Sequence, residues 1–377
     1  MLIDKIIKDY AGDQRDDGSL YTCSPGWQYN GNSPEWSMYW PMMLWQEYLF
    51  KGDLKLLEDT WENFSALMAY LMQYENTSSG LYNPTGWRIY DYAGGVLQSG
   101  GENIATNCQL YMNFGIAAQV ARLIGHDSDA ELYEEKAAQL KDNINYNLLI
   151  DGERYATTPG NSQTVPLASA WALRSGVAPA VFEDRIIGWF ADQCRDYNVG
   201  GYGGDALYSG LYEANLGHIA TPDYARYDRM LESNNTNWES FGELRGANMG
   251  HHAWTAYPSY LLPKYVGGVQ PTDGGFSAVD IKPVIGGLDW AKVTTPTVKG
   301  DIEVSWKQDS ETQLTMEVTI PANVQAQIFV PDNDMSGLTV TESGNTVYAA
   351  DAYVDGVDGI TGAAYEDGYV VVSAGSG

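Results

Sequence analysis

The chain has 377 residues, 44% of them hydrophobic, with 12 tryptophans and 27 tyrosines. That is ample for packed cores, in two domains or in one large domain with an appendage, and it excludes a disordered chain. The formal net charge of −28 speaks against nucleic acid and against anionic membrane surfaces, because phosphate is bound by Lys and Arg that displace counterions. No Lys or Arg follows Lys307, so a neutral substrate suits the composition best.

The opening residues, MLIDKIIKDY, read as the tail of an amphipathic helix and lack the charged start and apolar centre of a signal peptide. No apolar run approaches the roughly 20 residues that a membrane helix needs. The compartment stays open between cytoplasmic and secreted or periplasmic. Helical periodicity then continues to about residue 265. In GDLKLLEDTWENFSALMAYL, Leu57, Trp61, Phe64, Met68 and Leu71 fall on one stripe, with Asp53 placed to cap the start. Tyr133, Ala137, Leu140, Ile144 and Leu148 form a second stripe, and helical patterns also cover 37–49, 104–124, 163–174, 179–195, 204–216 and 250–264. The connections are long and aromatic, as in YNPTGWRIYDYAGGVLQSGG, and such loops mark a binding surface. Cys23, Cys108 and Cys194 have no metal-type spacing and read as buried free thiols.

After VGGVQPTDGG the period changes to two. Ile302, Val304 and Trp306 alternate with Asp301, Glu303 and Ser305, and Leu314, Met316, Val318 and Ile320 repeat the pattern. Strand-length runs continue to YVVVSAG. The expected organisation is a helical domain over 1–265 and a β-sandwich over 266–377. A ring of antiparallel helix pairs is one of several helical folds compatible with the first part.

The densest polar and aromatic stretch is NTNWESFGELRGANMGHHAW, ending at Trp254. On the residues alone, Glu239 reads as a carboxylate that caps a helix or pairs with Arg245, and the adjacent His251 and His252 as one packed and one solvated side chain. A metal site there is not expected, since consecutive residues diverge in direction and no third ligand is evident. Asp91, in GWRIYDY, suits either a turn beside glycines or a binding role. Trp36, Trp40 and Trp45 lie near helical spacing, which assigns Trp40 and Trp45 to the core and leaves Trp36 at a helix entrance. Glu102 suits a helix start, where the dipole favours a carboxylate.

NTNWESFG, GHHAWTAYPSYLLPKYVGGVQPT and GFSAVDIKPVIGGLDWAKVTTPTVKGDIEVSW resemble the junction of catalytic and C-terminal domains in the α-L-rhamnosidases of glycoside hydrolase family 78. DQRDDGSLYTC, PEWSMYWPMMLWQEYLFKGD and GWRIYDY fall in the same family's order, so the resemblance covers essentially the whole chain. It implies an all-α (α/α)6 toroid, incomplete at its N-terminus, followed by a β-sandwich that lacks its last strand. It also implies inverting hydrolysis of terminal α-L-rhamnose without a cofactor, and a carbohydrate partner, with a homodimer left open. Glu239 matches the family's base, shielded by Trp238. His251 or His252 would bond sugar hydroxyls, and Asp91, with Trp87 and Tyr92 around it, matches an acidic pocket position. Trp36 and Tyr39 fall where the family places another wall, although Met38 stands where many members carry Asp.

Inverting hydrolysis needs a second carboxyl about 6.5–9.5 Å from the first. The family's Cys-Pro-x-Arg-Glu acid segment has no counterpart in MLIDKIIKDY. The expectation is therefore a fragment without its general acid, weakly active or inactive, with Glu102 and Glu213 the first substitutes to inspect. Two other classes remain: a lyase acting on rhamnose–uronate linkages, which would want Arg or Lys in the pocket, and a non-catalytic sugar-binding remnant.

Overall fold

Residues 2–26, 31–91, 100–195, 197–234, 236–241, 250, 252–332 and 337–376 are described by the computed structural model. The chain divides into two compact units, Met1–Glu47 with Leu54–Tyr257, and Tyr48–Asp53 with Pro258–Gly377.

The first unit is helical. Helix α1 (Leu2–Gly12) buries Ile7, whose carbonyl accepts from Trp40 Nε1 at 3.0 Å. The 37–49 pattern resolves into a short α2 (Pro34–Ser37) and α3 (Tyr39–Lys51), separated by Met38, which is fully buried. Ser33 caps α2 by accepting from Trp36 N, and Pro34 suits the first turn because its missing N–H would have no partner there. The stripe on α4 (Leu54–Met72) is the buried face: Leu57, Trp61, Phe64, Met68 and Leu71 are all at most 5% exposed. Trp40 is buried as expected, whereas Trp45 is only half-buried.

Helix α5 (Ile104–Leu123) is buried on most of its surface, and it packs against α6 (Asp127–Leu148) and α7 (Pro166–Ser175). Between α6 and α7 runs a small hairpin of β1 (Leu149–Ile150) and β2 (Arg154–Tyr155). Helix α7 ends at Gly176, which takes the left-handed conformation that glycine adopts without strain. The 179–195 pattern becomes a 3₁₀ turn at Ala180–Phe182 and α8 (Glu183–Cys194). Helix α9 (Gly204–Glu213) packs on α7. Helices α10 (Gly217–Asp223) and α11 (Asp228–Asn234) lie in a region without an expected helix, being short, polar and interrupted by Pro222. The single helix expected at 250–264 is not one helix. Gly250 bridges Trp238, Ala253–Thr255 is a 3₁₀ turn, α12 is only Pro258–Leu261, and Leu262–Val266 is a π turn. Pro258 and Pro263 remove two of the donors that a continuous helix needs.

The second unit is β-rich. Its five-stranded sheet runs β12 (Ile360–Glu366), β13 (Tyr369–Ala374), β8 (Gln325–Pro331), β4 (Ala278–Ile281), β3 (Val269–Pro271), with β4 parallel to β8 and the other pairs antiparallel. A three-stranded antiparallel sheet joins β5 (Trp290–Thr297), β6 (Gly300–Ser310) and β7 (Gln313–Thr319). The third sheet joins β9 (Val340–Glu342), β10 (Asn345–Ala349) and β11 (Ala352–Tyr353). Alternation on β6 is as the sequence indicates: Ile302, Val304 and Trp306 are at most 2% exposed, and Trp306 Nε1 donates to Val266 O at 2.8 Å.

All three cysteines are free, but Cys23 is exposed and only Cys108 and Cys194 are buried, which corrects the expectation for one of them. Among the described residues no helix is long and apolar enough to cross a membrane.

Two helical glycines make opposite demands. A Cβ at Gly210 would lie 2.7 Å from Ala170 Cα and 2.8 Å from its carbonyl oxygen, backbone that cannot step aside, whereas a Cβ at Gly188 meets nothing within 4 Å. Gly210→Ala should cost about 1–3 kcal/mol through overpacking. Gly188→Ala should stabilise by about 0.5–1 kcal/mol through helix propensity. Urea unfolding of both variants checks the pair, and equal shifts in one direction would contradict it.

Candidate functional site

Polar residues near the start of α5 face the interior and hold the loops that approach it. Asn103 caps the helix, accepting from Ala105 N at 2.8 Å. Thr106 Oγ1 meets Tyr90 Oη at 2.7 Å, Asn107 exchanges bonds with Tyr82 N and O at 2.8 and 3.1 Å, and Gln109 Nε2 donates to Glu35 O at 3.0 Å. A buried polar group costs stability unless it is hydrogen-bonded, so the Thr106 and Asn107 pairings fix the loops at Tyr90 and Tyr82, and Gln109 ties α5 to α2.

Glu35, on α2, is fully buried. Its Oε2 accepts from Ile89 N at 2.7 Å and its Oε1 from Tyr202 Oη at 2.5 Å. Burial pushes its carboxyl up to about 8, against the opposing pull of those two bonds and of the Arg88 charge. Tyr39, beside Tyr202, Arg174 and Asp205, is likewise pushed up by burial, and Arg174 is paired with Asp205 at 2.6 Å. Arg88 is itself committed, donating to Gly101 O at 3.1 Å and to Asn83 Oδ1 at 3.0 Å.

Tyr202 leads to the polar and aromatic stretch that ends at Trp254. Its ring lies 5.0 Å from that of Trp254, and Trp254 stacks on His252 at 4.2 Å with 25° between planes. Thr255, fully buried, ties the 236–241 and 252–257 segments together: its Oγ1 donates to Trp238 O at 2.5 Å and accepts from Asn237 Nδ2 at 3.1 Å. Asn237 Nδ2 also donates to His252 O, and the buried Trp238 donates its N–H to Met230 Sδ at 3.3 Å. Glu239 is half-buried and close enough to His252 for its charge to act on the ring. Burial lowers the imidazole below the ordinary histidine value and outweighs the opposing pull of Glu239. His252 is therefore held neutral, with one ring nitrogen to donate and one to accept. Its Nδ1 is buried and has no hydrogen-bond partner among the described residues.

The glycine-rich run at 200–204 brings the second carboxylate in. Asp91, 1% exposed, accepts from Gly200 N at 3.1 Å on Oδ2. A Cβ at Gly203 would lie 2.7 Å from Asp91 Cγ, and one at Gly201 would lie 2.5 Å from the Glu239 carbonyl oxygen. At both positions the neighbour is met by bare glycine backbone. Trp36 and Trp87 meet edge to face at 5.1 Å, with Trp87 49% exposed. Glu102 is engaged with Asn76, in the turn that follows α4, and Glu213 is exposed at the end of α9. Tyr92, His251 and Arg245 lie outside the described residues. The sequence reading missed Glu35, Tyr202 and Trp254. A carboxylate in the first turn after Ser-Pro, and a tyrosine set between paired glycines, were the available signals.

Comparison with known proteins follows the same organisation. A family model described as the bacterial alpha-L-rhamnosidase 6 hairpin glycosidase domain matches residues 1–266, and one described as the bacterial alpha-L-rhamnosidase C-terminal domain matches residues 268–345. An alpha-L-rhamnosidase of Alteromonas sp. (strain LOR) is 23% identical over 356 residues, covering 88% of this chain and 38% of that protein. The structure of an alpha-L-rhamnosidase from Dictyoglumus thermophilum superposes with a TM-score of 0.78 at 20% identity, covering 99% of this chain and 42% of that one. The Streptomyces avermitilis alpha-L-rhamnosidase complexed with L-rhamnose superposes with a TM-score of 0.70 at 18% identity, covering 99% of this chain and 35% of that one. The chain thus spans about two-fifths of the length of these relatives.

The raised Glu35 carboxyl has a consequence for stability. Its ordinary value is 4.5 and its folded value about 8, so the unfolded chain releases this proton first, and stability falls as pH rises between those limits. Glu35→Gln keeps the shape and stays neutral. Its melting temperature should gain on the wild type from about pH 4.5 to 8 and then run parallel to it, as thermal melts across that range would show. Curves parallel throughout would contradict the assignment.

Proposed function

Because the chain belongs to the bacterial α-L-rhamnosidases, with their six-hairpin glycosidase domain followed by their C-terminal domain, we propose that its helical unit forms a binding site for terminal α-L-rhamnose and carries the water-activating half of an inverting glycosidase. Support comes first from one observation: Glu239 acts electrostatically on His252, whose ionisation burial lowers and whose ring is stacked on Trp254. A neutral imidazole can both accept from and donate to sugar hydroxyls, and indole faces suit the C–H surface and methyl group of a deoxysugar. The relative crystallised with L-rhamnose points to the same ligand class.

In this reading Glu239 is the base that deprotonates water, and Trp238 shields it from bulk solvent. His252, or His251 beside it, holds sugar hydroxyls. Asp91 anchors the opposite side with Tyr92 and Trp87, and Trp36 with Tyr39 completes an aromatic wall. Glu102 is the weakest member of the set because Asn76 engages its carboxylate. The helical part, 1–265, is proposed as an (α/α)6 toroid whose loops converge at one end, and 266–377 as a β-sandwich. Hydrolysis further requires a second carboxyl that protonates the leaving oxygen from about 6.5–9.5 Å away, so sugar binding is the property to test first. The lyase alternative loses ground because Arg88, a cation a uronate would want, is already held by Gly101 and Asn83.

Calorimetry with L-rhamnose tests the proposal. The wild type should bind, and Glu239→Gln, which keeps shape but not charge, should change affinity by less than about three-fold while abolishing any turnover of an aryl rhamnoside. His252→Ala should weaken binding by about five- to a hundred-fold, the usual range for a lost hydrogen bond that leaves its partner unpaired. A wild type that shows no binding at millimolar sugar would sink the proposal.

A further inference from the structure

The buried carboxyl of Glu35 touches no solvent, so it cannot contact a sugar, and yet it joins three separate segments that carry candidate site residues. Its own helix α2 carries Trp36. Through Ile89 N it holds the segment between Trp87 and Asp91, and through Tyr202 Oη it holds the glycine-rich run that seats Asp91 and passes the Glu239 carbonyl. Tyr202 in turn borders Trp254, the ring on which His252 stacks. We propose that Glu35 is a positioning residue: through its bonds to Ile89 and Tyr202 it fixes the spacing between the Trp36–Trp87 pair, Asp91 and the Glu239–His252 segment.

The connected segments are otherwise held by few regular hydrogen bonds, because neither 87–91 nor 200–203 belongs to a helix or strand. Loop positions of this kind open locally when their few anchors are removed. The groups facing the carboxyl are Tyr202 from the glycine run, Tyr39 from α3, and Arg88 with Tyr90 from the 87–91 segment. Arg88 is the one cation among them, and its guanidinium is directed to Gly101 and Asn83. Around neutral pH the carboxyl keeps its proton, so an amide, whose oxygen can accept from Ile89 N while its –NH2 donates to Tyr202 Oη, preserves the brace and an alanine does not.

This inference rests on the proposed rhamnose site for its functional consequence, but the brace itself can be read independently. Hydrogen–deuterium exchange of the full chain is measured for wild type, Glu35→Gln, Glu35→Ala and Tyr202→Phe. The alanine and phenylalanine variants should exchange about ten-fold faster in peptides covering 87–91 and 199–204, with α4 and α6 unchanged, while the glutamine variant matches the wild type. L-rhamnose affinity should fall about ten-fold in Glu35→Ala and stay within about two-fold in Glu35→Gln. Tyr202→Phe deletes only a hydroxyl and keeps the question decidable if the alanine variant does not fold. Unchanged exchange in both segments, or acceleration spread uniformly over the helices, would overturn the proposal. A wild type that binds no rhamnose defeats the proposed function instead, and the exchange comparison then decides the brace alone.

Discussion

Glu35 lies wholly out of water, and a carboxyl there must either find donors inside the protein or destabilise the fold. It finds Ile89 N and Tyr202 Oη, from segments 54 and 167 residues away in sequence. The same rule governs the start of α5, where Asn103, Thr106, Asn107 and Gln109 are all fully buried: Thr106 bonds Tyr90, Asn107 bonds Tyr82, Gln109 bonds Glu35 on α2, and Asn103 caps its own helix. The interior of the helical unit is thus partly a polar scaffold. Apolar faces on α4 and α6 pack into the interior, and the polar contacts fix where connections run.

The electrostatics around that scaffold suit the neutral ligand proposed for the site. Burial keeps His252 below its ordinary value even with Glu239 close by, and keeps Glu35 above its own. Burial thus opposes charge on both groups, which can still donate and accept hydrogen bonds. Bare backbone at Gly203 lets the glycine run lie against Asp91, and bare backbone at Gly201 lets it lie against the Glu239 carbonyl. A side chain at either position would push the run away from its neighbour.

Much of the architecture was legible because periodicity reports burial. The stripe Leu57, Trp61, Phe64, Met68, Leu71 and the alternation Ile302, Val304, Trp306 each name a core face directly. Breaks were harder to see. Residues 250–264 keep an apolar pattern, and Pro258 and Pro263 nevertheless divide it into turns. Helices α10 and α11 carry too few apolar residues for a periodic signal. The sequence singled out local candidates, Trp238 with Glu239 and the His251–His252 pair, but not their connection to Trp254, Tyr202 and Glu35. Glu35 sits in a short helix next to Trp36, and nothing local says that its partner lies beyond position 200. Long-range hydrogen bonds of this kind leave no trace in the spacing of one sequence.

The account turns on a hollow at Glu239 that accepts a sugar. A crystal structure of the chain grown with L-rhamnose tests it most directly. The sugar should lie with hydroxyls about 2.6–3.2 Å from His252 or Glu239 and with its C–H face against an indole. A Glu239 carboxylate turned to bulk solvent, with the sugar absent or seated only elsewhere, would contradict it.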